Sequence, residues 1–282
     1  MSYSISSDRF QHPLLKSLLE KLTKYFIKVG IRFYIIGATA RDIVMQIHNE
    51  KSGRATYDLD IAIAISDWNE YKKVEDGILN IEGFKKDIDQ KQRFIYLNDF
   101  QLDIIPFGNV MKEDDKIFWP PEEDIAMSIL GFSEVNKHTF PVKIDDEIEI
   151  QVASLAGVFI LKTIAWTERH LQGNKDADDM AFIIANYLTI YEKRAIEEHY
   201  DFIYAIDDFD TFTAGSKLLG LDIASLLSDN NSALEKITNI IKSELKKEEE
   251  SQLINQIIET HRNLTYESIY DCLENLLKGI EH

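Results

Sequence analysis

Apolar residues recur every three or four positions along 13–29 (Leu14, Leu15, Leu18, Leu19, Leu22, Phe26), which predicts an amphipathic helix ended by Gly30. The pattern then shortens. Ile31 to Ile36 reads as a brief apolar strand that passes through a tight turn at Gly37 into a second helix containing Ala38, Thr39, Arg41 and Asp42. A polar loop over 48–56, which carries Arg54, leads to Tyr57-Asp58-Leu59-Asp60-Ile61-Ala62-Ile63-Ala64-Ile65. Strict alternation makes this a strand, with Leu59, Ile61, Ile63 and Ile65 on a core face and Asp58, Asp60, Ala62 and Ala64 on the other. Ser66 is placed to cap a helix reaching about position 80, with Trp68, Tyr71, Val74 and Ile78 on one side. Positions 93–97 and 101–107 read as a hairpin turning at Asn98-Asp99.

Positions 110–150 read as irregular, with short strands near 139–143 and 147–150. Ser154 can cap a strongly apolar helix over 155–170, which holds Lys162 and Arg169. A break at Gly173 precedes Asn174-Lys175-Asp176-Ala177-Asp178-Asp179-Met180 and a helix running through Tyr191; beyond it only helical periodicity remains. The expected fold class is α+β. A small mixed or antiparallel sheet flanked by helices occupies 1–150, and an all-helical region occupies 151–282.

Composition narrows the function. At 282 residues, 45% hydrophobic and 11% aromatic, the chain can build two cores. No apolar run approaches the roughly 20 residues that span a bilayer. The first residues lack the basic start and apolar block of a signal peptide, so the expected location is cytoplasmic, without membrane. The single cysteine, Cys272, gives neither an intrachain disulfide nor a thiolate zinc cluster, and its apolar helical setting predicts a buried, inert thiol. A net charge of −18 opposes broad nucleic-acid binding by counterion release, though local contacts remain open; cationic and protein acceptors fit it better.

The chemistry-bearing residues are acids on strands. Asp58 and Asp60 project from one face roughly 7 Å apart, beside alanines that leave the surface open. Their mutual repulsion would be relieved by a hard divalent cation with oxygen ligands, such as Mg²⁺. Two exposed acids at a strand end are the alternative. Asp103 interrupts an otherwise apolar strand, where an unpaired charge is costly; an edge position facing water is its other reading. Three carboxylates on neighbouring strands can hold two metal ions about 3.5–4 Å apart and stabilise both oxygens of a phosphoryl displacement. The Gly37 turn could offer backbone N–H groups to a triphosphate, or could be purely structural.

Gly37-Ala38, then Asp58-Leu59-Asp60, then Asp103 resembles the pattern of the nucleotidyltransferase superfamily of DNA polymerase beta. More narrowly, Gly37-Ala38-Thr39-Ala40-Arg41-Asp42 with Arg54-Ala55-Thr56-Tyr57-Asp58-Leu59-Asp60 resembles the AbiEii-type bacterial nucleotidyltransferases, as does the downstream set Lys162, Ala165, Arg169 and Lys175-Asp176-Ala177-Asp178-Asp179. The resemblance covers roughly 30–190. Alanine at 38 departs from the superfamily's usual Gly or Ser.

The resemblance implies a nucleotidyltransferase fold, with 151–282 completing the cleft, and transfer of a nucleoside monophosphate from an NTP with release of pyrophosphate. Asp58, Asp60 and Asp103 would be the catalytic metal ligands for two Mg²⁺ ions, with Mn²⁺ as a substitute. Gly37, Ala38, Thr39, Arg41 and Lys162 would bind nucleotide, with Arg41 either on phosphate or paired to an acid such as Asp42. Arg54, Arg169, Lys175 and Asp176 would support the site. The acceptor would be RNA or protein, in a toxin-like or phage-defence setting with an antitoxin partner. A small cationic molecule such as an aminoglycoside, and a non-catalytic nucleotide-binding regulator, are the alternatives.

Overall fold

The computed structural model describes residues 3–112, 115–123, 126–204, 209–261 and 264–282. Positions 113–114 and 124–125, in the stretch read as irregular, and 205–208 and 262–263, in the stretch read as helical, fall outside them, as do the first two residues. The chain divides into two compact units, Met1–Ser154 and Leu155–His282.

In the first unit the elements run β1 (Tyr3–Ile5), α1 (Leu15–Val29), β2 (Phe33–Ile36), α2 (Gly37–Ile47), β3 (Asp58–Ile65), α3 (Trp68–Leu79), β4 (Phe84–Lys86), β5 (Arg93–Tyr96), β6 (Phe100–Gly108), β7 (Lys116–Phe118), β8 (Ala126–Ser128), α4 (Phe132–Lys137), β9 (Phe140–Ile144) and β10 (Ile148–Val152). Among the described residues eight strands form one mixed sheet, ordered β1-β9-β10-β2-β3-β6-β5-β4, and β7 pairs with β8 apart from it. The flanking helices bring apolar stripes: Leu18, Leu19 and Leu22 of α1 are fully buried, as are Leu59, Ile61 and Ile63 of β3. The parallel partners β3 and β6 lie in the middle of the sheet, and β6 is apolar almost throughout, as suits a strand covered on both faces.

The sheet is wider than the expected small one. β1 and β4 have three residues each, too few to show a period of two, and both gain their place by pairing: β1 with β9, β4 with β5. The 31–36 strand begins at Phe33. Asp67, not Ser66, caps α3, because its carboxylate accepts the Glu70 N–H at 2.8 Å; Ser66 instead donates through N and Oγ to the Glu70 carboxylate. The stretch read as irregular contains α4 and the β9–β10 hairpin, closed at Ile144 and Ile148. Far along the chain, Asp145 ties down the N-terminal segment by accepting from Ser7 N at 2.9 Å and Ser7 Oγ at 2.6 Å, and by pairing with Lys16 at 2.9 Å. These contacts hold the Asp145 carboxyl well below the usual carboxylate range.

The second unit is helical among its described residues: α5 (Leu155–Arg169), α6 (Lys175–Tyr204), α7 (Thr211–Leu226), α8 (Asn231–Lys246), α9 (Gln252–Thr260) and α10 (Tyr266–Ile280). The helix expected to stop at Tyr191 continues to Tyr204, with Tyr191 at a kink of non-helical backbone (φ −116°, ψ 19°). Cys272 is buried, and desolvation pushes its thiol up to about 12, so it is inert at neutral pH. No described helix is long and apolar enough to cross a membrane.

Helices α7 and α10 meet backbone to backbone at Gly220 and Gly279. A Cβ on Gly279 would lie 2.1 Å from the Lys217 carbonyl oxygen, and one on Gly220 would lie 2.2 Å from that of Leu276. Since backbone cannot step aside cheaply, Gly279→Ala should destabilise the protein by about 2 kcal/mol or more. A urea midpoint that falls with unchanged slope is the expected readout; an unmoved midpoint would refute the close crossing.

Candidate active site

The turn from β2 into α2 places Gly37 at φ +66°, which an L side chain adopts only under strain. Space demands glycine as well: a Cβ there would sit 2.3 Å from Asp60 Oδ2. The Asp60 carboxylate therefore rests against the bare start of α2, the positive end of that helix. The Thr39 hydroxyl donates to the Asp58 carbonyl at 3.2 Å, tying α2 to β3, and the Thr56 hydroxyl donates to Asp58 Oδ1.

Register assembles the rest. Asp60 stands opposite Asp103 in the parallel β3–β6 pair, and Ile36 stands opposite Asp60 on the other side. Directly paired residues share a face, as do residues two apart on one strand, so Asp58, Asp60 and Asp103 line one side of the sheet. Neighbouring strands are about 4.8 Å apart, which brings like charges close. The antiparallel β5–β6 pair then sets Arg93 opposite Asp103. Arg93 Nε and Nη2 donate to Asp103 Oδ1 and Oδ2, each at 2.8 Å, the two-pronged match of guanidinium to carboxylate. Asp103 is 7% exposed, neither an edge acid nor an unpaired one. The hydrogen bonds that Arg93 donates to Asp103 hold its guanidinium above its ordinary value against the opposing pull of burial, with the charges of Asp103, Asp60 and Asp58 adding to them.

No family model matches the sequence, and no curated protein matches it. Among solved structures, the antibiotic-resistance factor ANT(2'')-Ia is similar at a TM-score of 0.32 and 10% identity, over 64% of this chain and 97% of its own. A CCA-adding enzyme in complex with ATP is similar at 0.25 and 12% identity, over 96% of this chain and 81% of its own. The Thermotoga maritima CCA-adding enzyme complexed with tRNA is similar at 0.25 and 13% identity, over 97% and 82%. Likeness this slight carries no argument; geometry has to.

Carboxylate oxygens are the donors that hard divalent cations take, so the row suits such an ion in kind. It does not close around one in this arrangement. Both Asp103 oxygens are engaged by Arg93, and among the described residues no group of three His, Cys, Asp or Glu side chains is placed to hold a metal ion. Arg93 is the residue that the sequence reading missed. Its signal was available in the hairpin: with Tyr96 opposite Phe100, Arg93 must fall opposite Asp103.

Several residues expected to contact nucleotide are buried or already paired within the protein. Ala38 and Thr39 are buried in α2. Arg41 is 0% exposed and bonds Asp42 Oδ1 through Nε at 2.9 Å and Nη2 at 2.8 Å, with a further bond of 3.3 Å to the Arg54 carbonyl. The acid expected as one possible partner, Asp42, is thus the one it pairs with here. Arg41 and Asp42 brace the polar loop, since Gly53 N also donates to Asp42 Oδ1 at 3.3 Å.

The second unit holds its own charged cluster. Lys162 Nζ lies 3.1 Å from Asp176 Oδ1 and 2.6 Å from Asp179 Oδ2, while Arg169 grips Asp176 at 2.7 and 2.8 Å. Lys175 is exposed at the first position of α6. To bind a phosphate, Lys162 would have to exchange one of its carboxylates. Burial alone would raise the Asp176 pKa, yet the bonds from Arg169 and the charges of Lys162 and Arg169 outweigh it and hold Asp176 at about 2.

Two outcomes follow from this geometry. The folded-state pKa of Asp176 is depressed, so its contribution to stability is complete above the unfolded value near 4 and disappears as pH falls to about 2. The stability advantage of wild type over Asp176→Asn should shrink by about 2 kcal/mol between roughly pH 5 and pH 2; parallel curves would contradict the network. Gly37→Ala should cost about 1 kcal/mol or more in chemical denaturation, from positive φ and the collision with Asp60. A neutral result would mean that Asp60 does not rest on the turn.

Proposed function

We propose that the Met1–Ser154 unit transfers a nucleoside monophosphate from an NTP to an acceptor hydroxyl and releases pyrophosphate, with Asp58, Asp60 and Asp103 as the residues that would turn toward Mg²⁺. One observation carries this reading: three carboxylates share one face of two adjacent parallel strands, and the middle one rests on the Gly37 turn at the start of α2. In the reaction the acceptor oxygen bonds to the α-phosphorus, the bond from that phosphorus to the bridging oxygen breaks, and its electron pair leaves with pyrophosphate. When bound, the metal neutralises charge building on the attacking and leaving oxygens.

The chain's own part is positioning. Thr56 orients the Asp58 carboxylate through its hydroxyl, and Thr39 keeps α2 in line with β3, so that Asp60 and the helix start stay together. Asp103 would complete the ligand row. The AbiEii-type motifs favour an RNA or protein hydroxyl as acceptor, in a toxin-like or phage-defence setting with an antitoxin partner. A second reading, a small cationic acceptor, is favoured by the net charge of −18, which concentrates cations near the surface.

The test incubates the protein with each α-³²P-labelled NTP, Mg²⁺ and cell extract, with Asp60→Asn in parallel. Label should enter RNA, protein or a small molecule with wild type and fall by at least about 100-fold with the variant, the scale of loss when a preorganised charge contact is removed. Equal labelling by both proteins, or none with any NTP, would overturn the proposal.

A further inference from the structure

The Met1–Ser154 unit contains a cavity that the carboxylate row does not use. It encloses about 790 Å³ between the end of α1, the start of β2, the end of α4 and β10, within the range of roughly 300–1,000 Å³ typical of small-molecule sites. Arg32, on its wall, lies at the opposite end of β2 from the Gly37 turn, roughly 16 Å away along the strand. We propose that this cavity binds a free α-amino acid with a large apolar side chain, its carboxylate on Arg32 and its ammonium on Glu149.

Register sets the two charges side by side. Gln151 of β10 stands opposite Tyr34 of β2 in a parallel pair, and two residues back on both segments Glu149 comes level with Arg32. Both residues line the cavity and both are exposed. They nevertheless do not close on each other: among the described residues neither side chain has an ion pair or a hydrogen bond. Lys143, opposite Glu149 on β9, leaves it unpaired as well. Lys137, the remaining charge on the wall, is already engaged. A simple carboxylate would bring its charge beside Glu149, and a simple amine would bring its charge beside Arg32. A zwitterion answers both at once, and the guanidinium fork matches its carboxylate in shape as well as charge. The rest of the ligand is set by the apolar wall of Phe26, Ile27, Ile31 and Phe33. Ile27 is 75% exposed, so a side chain laid against it takes apolar surface out of water.

The test is isothermal titration calorimetry of the full chain with L-phenylalanine and L-leucine, up to about 10 mM. Three controls are titrated alongside: L-phenylalaninamide lacks the carboxylate, N-acetyl-L-phenylalanine lacks the ammonium, and L-serine lacks the apolar side chain. L-Phenylalanine or L-leucine should bind saturably, and each control at least about tenfold more weakly, the scale of one lost charge-assisted bond or one lost apolar side chain. Arg32→Gln should bind L-phenylalanine at least about tenfold more weakly and no longer prefer it to the amide. Glu149→Gln should weaken binding similarly and lose the preference over the N-acetyl form. Circular dichroism checks the fold of both variants, and if either fails to fold, the wild-type comparison with the controls decides alone. No saturable binding of either amino acid overturns the proposal. So does wild-type binding of the amide or the N-acetyl form as tight as that of L-phenylalanine, or unchanged affinity in the folded variants.

Discussion

Three carboxylates on one face of a sheet repel one another, and the centre of the Met1–Ser154 unit is arranged around that repulsion. Reading across strands β2, β3, β6 and β5, the row runs Ile36, Asp60, Asp103, Arg93. Each neighbour answers a different part of the problem. The turn after Ile36 presents a bare glycine and a helix start to Asp60, and the hairpin partner presents a guanidinium to Asp103. The apolar faces of β3 and β6 lock the register, because a slip of one residue would turn every acid into the core. Packing and electrostatics therefore specify the same alignment.

Much of this could be read from the sequence, for a physical reason. Period-two alternation at 58–65 exposes both the core face and the acidic face of β3 in eight residues, and Asp103 stands out as a charge in an apolar run. The helical second half declares itself by periodicity. What could not be read was whatever depends on pairing. β1 and β4 exist only because longer strands accept them. Arg41 sits in a helix buried over ten successive positions, so neighbours in sequence could not say whether its charge met a ligand or Asp42. Arg93 was hidden differently: its partner is ten positions away, and the hairpin register needed only to be followed across to Asp103.

The Leu155–His282 unit solves a comparable problem without a sheet. Lys162 on α5 and Asp176 and Asp179 on α6 would each be expensive to bury alone, and together with Arg169 they satisfy one another across the helix break. The motif that drew attention to these residues is thus, in the structure, a joint between two helices. The glycine crossing of α7 and α10 serves the same unit by removing side chains where the charged joint adds them.

The contact between Ser7 and Asp145 joins residues 138 positions apart. Together with the β1–β9 pairing, it covers the outer edge of β9, whose unpaired backbone groups would otherwise be a template for another chain. During synthesis, at roughly 5–20 residues per second, β1 leaves the ribosome on the order of ten seconds before β9 does. The vulnerable edge is made late and its cover early. A nascent chain thus has the shielding strand on hand when the edge emerges.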